Sequence, residues 1–324
     1  MSSQACAVAE RMNAMAAQRI SPADEKRVKA EGFLRNKGTD NFNGRVITVN
    51  GRLNAQQMER VAKAAELFGN GQVAMTVRLT LEVQGIPYEK IEPFKAYLAE
   101  GGLTTGGTGP KVRPVVSCKG TTCQYGLLDS FALSEKIHHR FYEGYRNVKL
   151  PHKFKIAVGG CPNNCVKPDL NDLGIIGQLT PAYDEAACRG CKTCAVEQTC
   201  PMKAAKLEGD RLQLNQDICN SCGRCVQRCP FHALGNGVPG YKVMLGGRWG
   251  KQTAMGRPLS RLLRSEEEVL SVVESAILLY LEQGVEGERF ATTIERIGFD
   301  RVEAQLLDGS VLRRKEQILQ GVKA

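Results

Sequence analysis

Apolar residues recur along this chain in two rhythms. Over 55–68, Met58, Val61, Ala65 and Phe68 fall on one stripe at helical spacing. Asn54 stands where a helix N-cap is needed, and Gly69-Asn70-Gly71 supplies the stop. Over 73–83 the period drops to two. Val73, Met75, Val77, Leu79, Leu81 and Val83 alternate with Thr76, Arg78, Thr80 and Glu82, which predicts one strand with an apolar and a polar face. A short strand is expected at 45–49, a helix near 88–99 and a Gly/Thr-rich loop or hinge at 101–110. Together these elements predict an α+β half domain over 41–110, preceded by a helical lead-in over 1–40 that ends in a polar turn.

Further along, a strand over 112–117 ends at a cysteine, 125–146 reads as a helix, and a strand over 153–159 leads to another cysteine. Ser265 can cap a closing helix over 266–283, and 288–324 reads as a short C-terminal appendage. The longest apolar run, 276–281, is far shorter than a membrane span requires. No basic segment followed by an apolar core opens the chain, so no signal peptide is expected and a cytoplasmic location is. Of the 324 residues, 42% are apolar and 24% charged, which fits a soluble globular protein and not a disordered one. In such a chain thirteen cysteines point to metal ligation or redox chemistry before disulfides.

Eight of those thirteen fall in two runs. The first is Cys188-x2-Cys191-x2-Cys194-x5-Cys200-Pro201, and the second is Cys219-x2-Cys222-x2-Cys225-x3-Cys229-Pro230. Three thiolates at this spacing can hold three irons of a cubane, and the remote cysteine of each run then completes the other cluster. The assignment is Cys188, Cys191, Cys194 and Cys229 to one [4Fe–4S] cluster, and Cys219, Cys222, Cys225 and Cys200 to a second. A zinc module would use isolated CxxC pairs instead. The two runs resemble a bacterial two-cluster ferredoxin inserted over 180–235.

Four more cysteines form a separate set, Cys118-x4-Cys123 and Cys161-x3-Cys165. The second pair lies in Gly160-Cys161-Pro162-Asn163-Asn164-Cys165, followed after six residues by Asp172-Leu173-Gly174-Ile175. This stretch is similar to the signature of the sirohaem sulfite and nitrite reductases, and Val115-Val116-Ser117-Cys118-Lys119-Gly120-Thr121-Thr122-Cys123 resembles the family's upstream pair, shortened by one residue. The resemblance covers about 45–285, and the layout is similar to that of the anaerobic, dissimilatory-type branch. It implies an α+β half-fold with the ferredoxin unit inserted into a sirohaem and cluster domain made of 111–179 and 236–287. It also implies a cubane on Cys118, Cys123, Cys161 and Cys165, with Cys165 bound to the sirohaem iron as well. The cofactors expected are therefore sirohaem and three [4Fe–4S] clusters. Cys6 remains as an incidental free thiol.

The balance of 44 Lys+Arg against 34 Asp+Glu gives a formal charge of +10. No helix-turn-helix, zinc-finger histidine pair or RNA-binding aromatic signature accompanies it, so the charge alone speaks for nucleic acid. A substrate oxyanion and the carboxylates of sirohaem give the cations a more specific use. Arg45, Arg78 in Thr76-Val77-Arg78-Leu79-Thr80, and Lys153-Phe154-Lys155 resemble the family's active-site arginines and Lys-x-Lys pair. The resemblance implies that these four orient sulfite and deliver protons during six-electron reduction to sulfide. It implies further that electrons arrive through the ferredoxin clusters from an external donor subunit or ferredoxin, in an oligomer or an assembly of several subunits. No Gly-x-Gly-x-x-Gly follows a strand, so a built-in nicotinamide site is not expected. Two alternatives stand beside sulfite reduction: nitrite reduction to ammonia with the same cofactors, and a haem-free electron-transfer subunit.

Overall fold

The computed structural model describes residues 20–321, so Cys6 and half of the expected lead-in lie outside the described residues. The chain forms two compact units. The first comprises the described residues up to Thr48 together with Leu53–Gly109, and the second Val49–Arg52 together with the described residues from Pro110 onward.

In the first unit, helix α1 (Pro22–Ala30) is capped by Ser21, whose hydroxyl accepts from the Asp24 N–H at 3.0 Å. Strands β1 (Phe33–Arg35) and β2 (Asn41–Val46) follow, then helix α2 (Ala55–Phe68), strands β3 (Val73–Met75) and β4 (Leu81–Pro87), and helix α3 (Ile91–Ala99). The sheet order is β1-β2-β4-β3, antiparallel throughout. Helix α2 has the expected bounds, and Asn54 and Gln57 cap each other reciprocally as a capping box. Phe33, Phe42, Val61, Val83, Ile86 and Phe94 form the core beneath the sheet.

Two expectations change here. Residues 33–35 are the first strand of the sheet and pair with β2, instead of lying in a lead-in. The alternation over 73–83 is also not one strand. Thr76 and Thr80 join their hydroxyls at 2.6 Å, the Thr76 N–H reaches the Thr80 carbonyl at 2.8 Å, and Leu79 turns to φ 57°. Threonine side chains thus close a tight connection where a ladder was expected. Met75 and Val77 point to solvent at 83% and 97% exposure, while Leu81 and Val83 beyond the turn are buried.

The second unit is built on a five-stranded sheet. Its strands are β5 (Val116–Ser117), β6 (Ile156–Gly159), β7 (Leu173–Ala182), β10 (Asn236–Leu245) and β11 (Arg257–Pro258), in the order β11-β10-β7-β6-β5. Strands β5, β6 and β7 run parallel, whereas β7, β10 and β11 alternate in direction. All four residues of β6 are buried, as a central parallel strand requires. The helix expected over 125–146 starts later: Asp129 caps α4 (Ser130–Ile137), which loosens into a π turn over His138–Glu143. Between β7 and β10 lie α5 (Ala195–Thr199) and the two-stranded β8 (Ala205–Glu208) and β9 (Arg211–Leu214). The insert thus leaves and rejoins the sheet at Ala182 and Asn236, which face each other in the ladder.

Helix α6 (Glu266–Gln283) starts at Ser265 as expected, with the Glu268 N–H on the Ser265 hydroxyl at 3.1 Å. The C-terminal segment is a correction. Helices α7 (Phe290–Ile297), α8 (Phe299–Leu307), α9 (Ser310–Arg313) and α10 (Lys315–Gly321) belong to the unit's core and are no appendage. Phe290 is wholly buried, its ring 5.1 Å from that of Phe154 and 5.3 Å from that of Tyr280. Among the described residues no helix is long and apolar enough to cross a membrane.

Candidate metal centre and anion site

Cys118 follows β5 and Cys161 follows β6, two parallel neighbours whose carboxyl ends open on the same side. The Cys118 N–H is held by the Val158 carbonyl at 3.1 Å, and the Gly160 N–H donates to the Cys118 sulfur at 3.1 Å. Cys123 closes a single 3-10 turn over Gly120–Thr122, and Cys165 follows Asn164, which stands at φ 53°. The Cys161 thiol, pushed up chiefly by burial, has Cys118, Cys165 and Cys123 as electrostatic neighbours. The structure therefore brings the four together, with Cys165 the exposed member.

Glycine makes this convergence possible. A Cβ on Gly160 would stand 2.7 Å from the Gly120 Cα, and one on Gly177 would stand 2.5 Å from the Gly160 carbonyl oxygen. The two cysteine loops touch backbone to backbone. The donors are all sulfur, which suits an iron–sulfur cluster. Among the described residues no three Cys, His, Asp or Glu side chains form a group that could hold one metal ion. A cubane takes each thiolate on a different iron, so its ligands stand apart around it.

Lys153 and Lys155 lead into β6, half-buried on either side of the fully buried Phe154. The Lys155 N–H donates to Asp172 Oδ2 at 2.9 Å, and its carbonyl accepts from the Leu173 N–H at 3.0 Å. Asp172 has no exposed surface. Its carboxylate accepts twice from Arg289 Nη2, at 2.9 and 3.1 Å. Burial pushes the Asp172 carboxyl up, against the pull of Arg289 and the Lys155 N–H. The Lys153 amine is pulled down, first by burial and then by Arg289 and Arg113, with Asp172 opposing them. Asp172, Arg289 and Arg113 were missed as members of this group. Only Asp172 left a trace, at its place seven residues after Cys165.

Arg45 and Arg78 lie in the first unit. Arg45 sits on β2 opposite Glu82, donates to that carboxylate through Nε at 3.1 Å, and reaches the Gly107 carbonyl at 3.2 Å. Arg78 lies in the turn between β3 and β4 and not on a strand's polar face.

In the insert, Cys200, Cys219, Cys222 and Cys225 line one cavity of about 20 Å³. Burial pushes the Cys225 thiol to about 11, and its sulfur neighbours are Cys219, Cys222 and Cys200. This is the set expected for the second ferredoxin cluster, including the remote Cys200. Of the other set, Cys188, Cys194 and Cys229 pack on the core of Val196, Ala205, Leu212 and Leu234, and Cys191 is half-buried nearby in sequence. The Leu179 N–H ties β7 to the insert through the Ser221 carbonyl at 2.7 Å. One open cleft of about 660 Å³ is lined by both Cys161 and Cys222, with the Arg224 guanidinium 5.4 Å from the Tyr125 ring centre.

Residues 108–312 match the nitrite and sulphite reductase 4Fe-4S domain, and residues 35–101 match the nitrite/sulfite reductase ferredoxin-like half domain. The chain is 32% identical over 249 residues to the coenzyme F420-dependent sulfite reductase of Methanocaldococcus jannaschii, covering 76% of this chain and 39% of that protein. It is 30% identical over 191 residues to one of the subunits of the anaerobic sulfite reductase of Salmonella typhimurium, covering 53% of this chain and 44% of the relative. The chain thus spans under half the length of these two relatives. Its fold superposes on dissimilatory sulfite reductase I with a TM-score of 0.66 at 22% identity, over 82% of this chain and 68% of that one.

Proposed function

The chain belongs to the nitrite and sulphite reductase family, and from that membership we propose that it is the catalytic subunit of a sirohaem-dependent sulfite reductase. The observation that carries the reading is strand β6. It is entered by Lys153 and Lys155 and left at Cys161, so an anion-binding pair and a four-cysteine centre share one rigid element. Cys118, Cys123, Cys161 and Cys165 would hold a [4Fe–4S] cluster, with the exposed Cys165 shared with sirohaem, and the pair would supply electrons to the substrate when bound. Reduction of hydrogen sulfite to hydrogen sulfide ion consumes six electrons and six protons and releases three waters. Lys153 and Lys155 bind the substrate oxygens and hold protons at their amines for the departing waters. By their resemblance to the family's active-site arginines, Arg45 and Arg78 are proposed as further anion ligands. Cys188, Cys191, Cys194 and Cys229, and Cys219, Cys222, Cys225 and Cys200, would hold two further clusters, whose chemistry would be to take up electrons from a donor subunit or ferredoxin, within a cytoplasmic enzyme of several subunits.

The absorption spectrum of the purified protein is the first test. Strong Soret and red bands that shift on adding sulfite are expected, and Lys153→Met should abolish sulfite turnover while leaving the bands in place. A haem-free preparation fully loaded with iron and sulfide would overturn the reading in favour of an electron-transfer subunit. Faster turnover of nitrite than of sulfite would make the protein a nitrite reductase.

A further inference from the structure

We propose that Asp172 is a positioning residue that anchors the Lys153–Lys155 segment and, paired with Arg289, supplies the negative charge those amines face. The geometry is specific. One carboxylate, wholly buried at the start of β7, accepts from the Lys155 backbone N–H at 2.9 Å and from Arg289 Nη2 at 2.9 and 3.1 Å. The adjoining Leu173 N–H holds the Lys155 carbonyl at 3.0 Å. Lys155 is therefore gripped through both of its backbone polar groups by two consecutive residues, which fixes the direction of the segment entering β6.

Charge does the rest. Lys153 is faced by Arg289, Arg113, His152 and Asp172. Within that group Asp172 is the carboxylate, and Arg289 and Arg113 both repel the Lys153 ammonium. A neutral residue at 172 leaves a half-buried amine among cations, where loss of its proton becomes easier. Arg289 repels the Lys153 ammonium, but it also keeps the buried Asp172 carboxylate ionised, so removing it would let that carboxylate take up a proton. Arg113 also repels Lys153, whereas the charges that hold that carboxylate ionised are those of Arg289 and Lys155.

Pulse acetylation tests this without turnover, because only the free-base amine reacts. The readout is Lys153 labelling across pH in the cofactor-loaded protein, measured by mass spectrometry against the exposed Lys149. In Asp172→Asn, Lys153 should label about three- to tenfold faster at a given pH. Asp172→Glu, which keeps the charge, should restore most of the protection. In Arg113→Gln, which removes a repelling cation and leaves the Asp172–Arg289 pair in place, labelling should fall below that of the parent protein. A structural lesion would instead raise labelling in both Asp172→Asn and Arg113→Gln, and that result overturns the proposal. Unchanged Lys153 labelling in a folded Asp172→Asn protein overturns it too. Where Asp172→Asn fails to fold, Arg113→Gln decides by its sign.

The consequence for catalysis rests on the sulfite reading above. Asp172→Asn should raise the KM for sulfite more steeply with pH than in the parent protein. Labelling that behaves as expected with an unchanged sulfite KM would leave the positioning role standing and remove the sulfite role of the lysines.

Discussion

The host sheet and the insert hold their cysteines in opposite ways. Cys118 and Cys161 sit at the ends of β5 and β6, backed by a wide core that includes Phe154, Tyr280 and Phe290. The insert has a core of four residues, Val196, Ala205, Leu212 and Leu234, and five of its cysteines pack directly against it. In the host the fold arranges the ligands. In the insert the ligands and whatever they bind make up much of the fold. A short segment with so small a core buries too little apolar surface to offset the entropy of ordering it.

Removing iron should therefore separate the two most strongly. Metal binding that is coupled to folding is worth on the order of 10 kcal/mol in small structural sites. Hydrogen exchange on chelated protein should show β8 and β9 exchanging as unfolded chain while β6 and α6 stay protected. Simultaneous loss in both regions would break the comparison. Next in size, Phe290→Ala opens a cavity among three packed rings and should cost about 3–5 kcal/mol in denaturant unfolding. The electron paramagnetic resonance of the clusters proposed for the insert should not change.

A third effect belongs to acid. His138, 1% exposed, has its imidazole pushed down to about 4 by burial, while the insert's histidine, His232, is exposed. A base with a depressed folded value stabilises the fold above its ordinary value near 6.5, and that stability is lost as the pH falls from there toward 4. Up to about 3 kcal/mol of host stability should disappear over this window, and His138→Phe should flatten the pH dependence of melting in iron-free protein. Smaller again, Gly160→Ala would push a methyl against the Gly120 backbone and should cost about 1–3 kcal/mol. It should lower the iron content of the four-cysteine centre but spare the insert's. Asn54→Ala removes a cap in the first unit, should cost about 1 kcal/mol, and should move neither cysteine region.

What could be read from the chain follows the range of the interactions involved. The capped helices α2 and α6 depend on residues at fixed local spacing, and those spacings stand in the sequence. The turn between β3 and β4 was hidden because threonine fits both a strand and a side-chain-closed turn, and period-two apolarity continues through it. The Asp172–Arg289 pair joins residues 117 positions apart, a distance no local pattern reports. The C-terminal helices were underestimated for a related reason: Phe290 shows its worth only against Phe154 and Tyr280. Arg45 matched a motif, yet its cross-strand neighbour Glu82 sets the surroundings of its guanidinium.

Strands β7 and β10 pair over ten residues without a break, ending at Ala182 and Asn236. To the rest of the second unit, everything between those two residues is the loop of one long hairpin. Neighbouring strands lie about 5 Å apart, so a two-residue Asn-Gly turn could close the same ladder. The two-run cysteine unit is in this sense a cassette, entered and left by the chain at a single joint, so that its length can vary without redrawing the sheet that carries the four-cysteine centre.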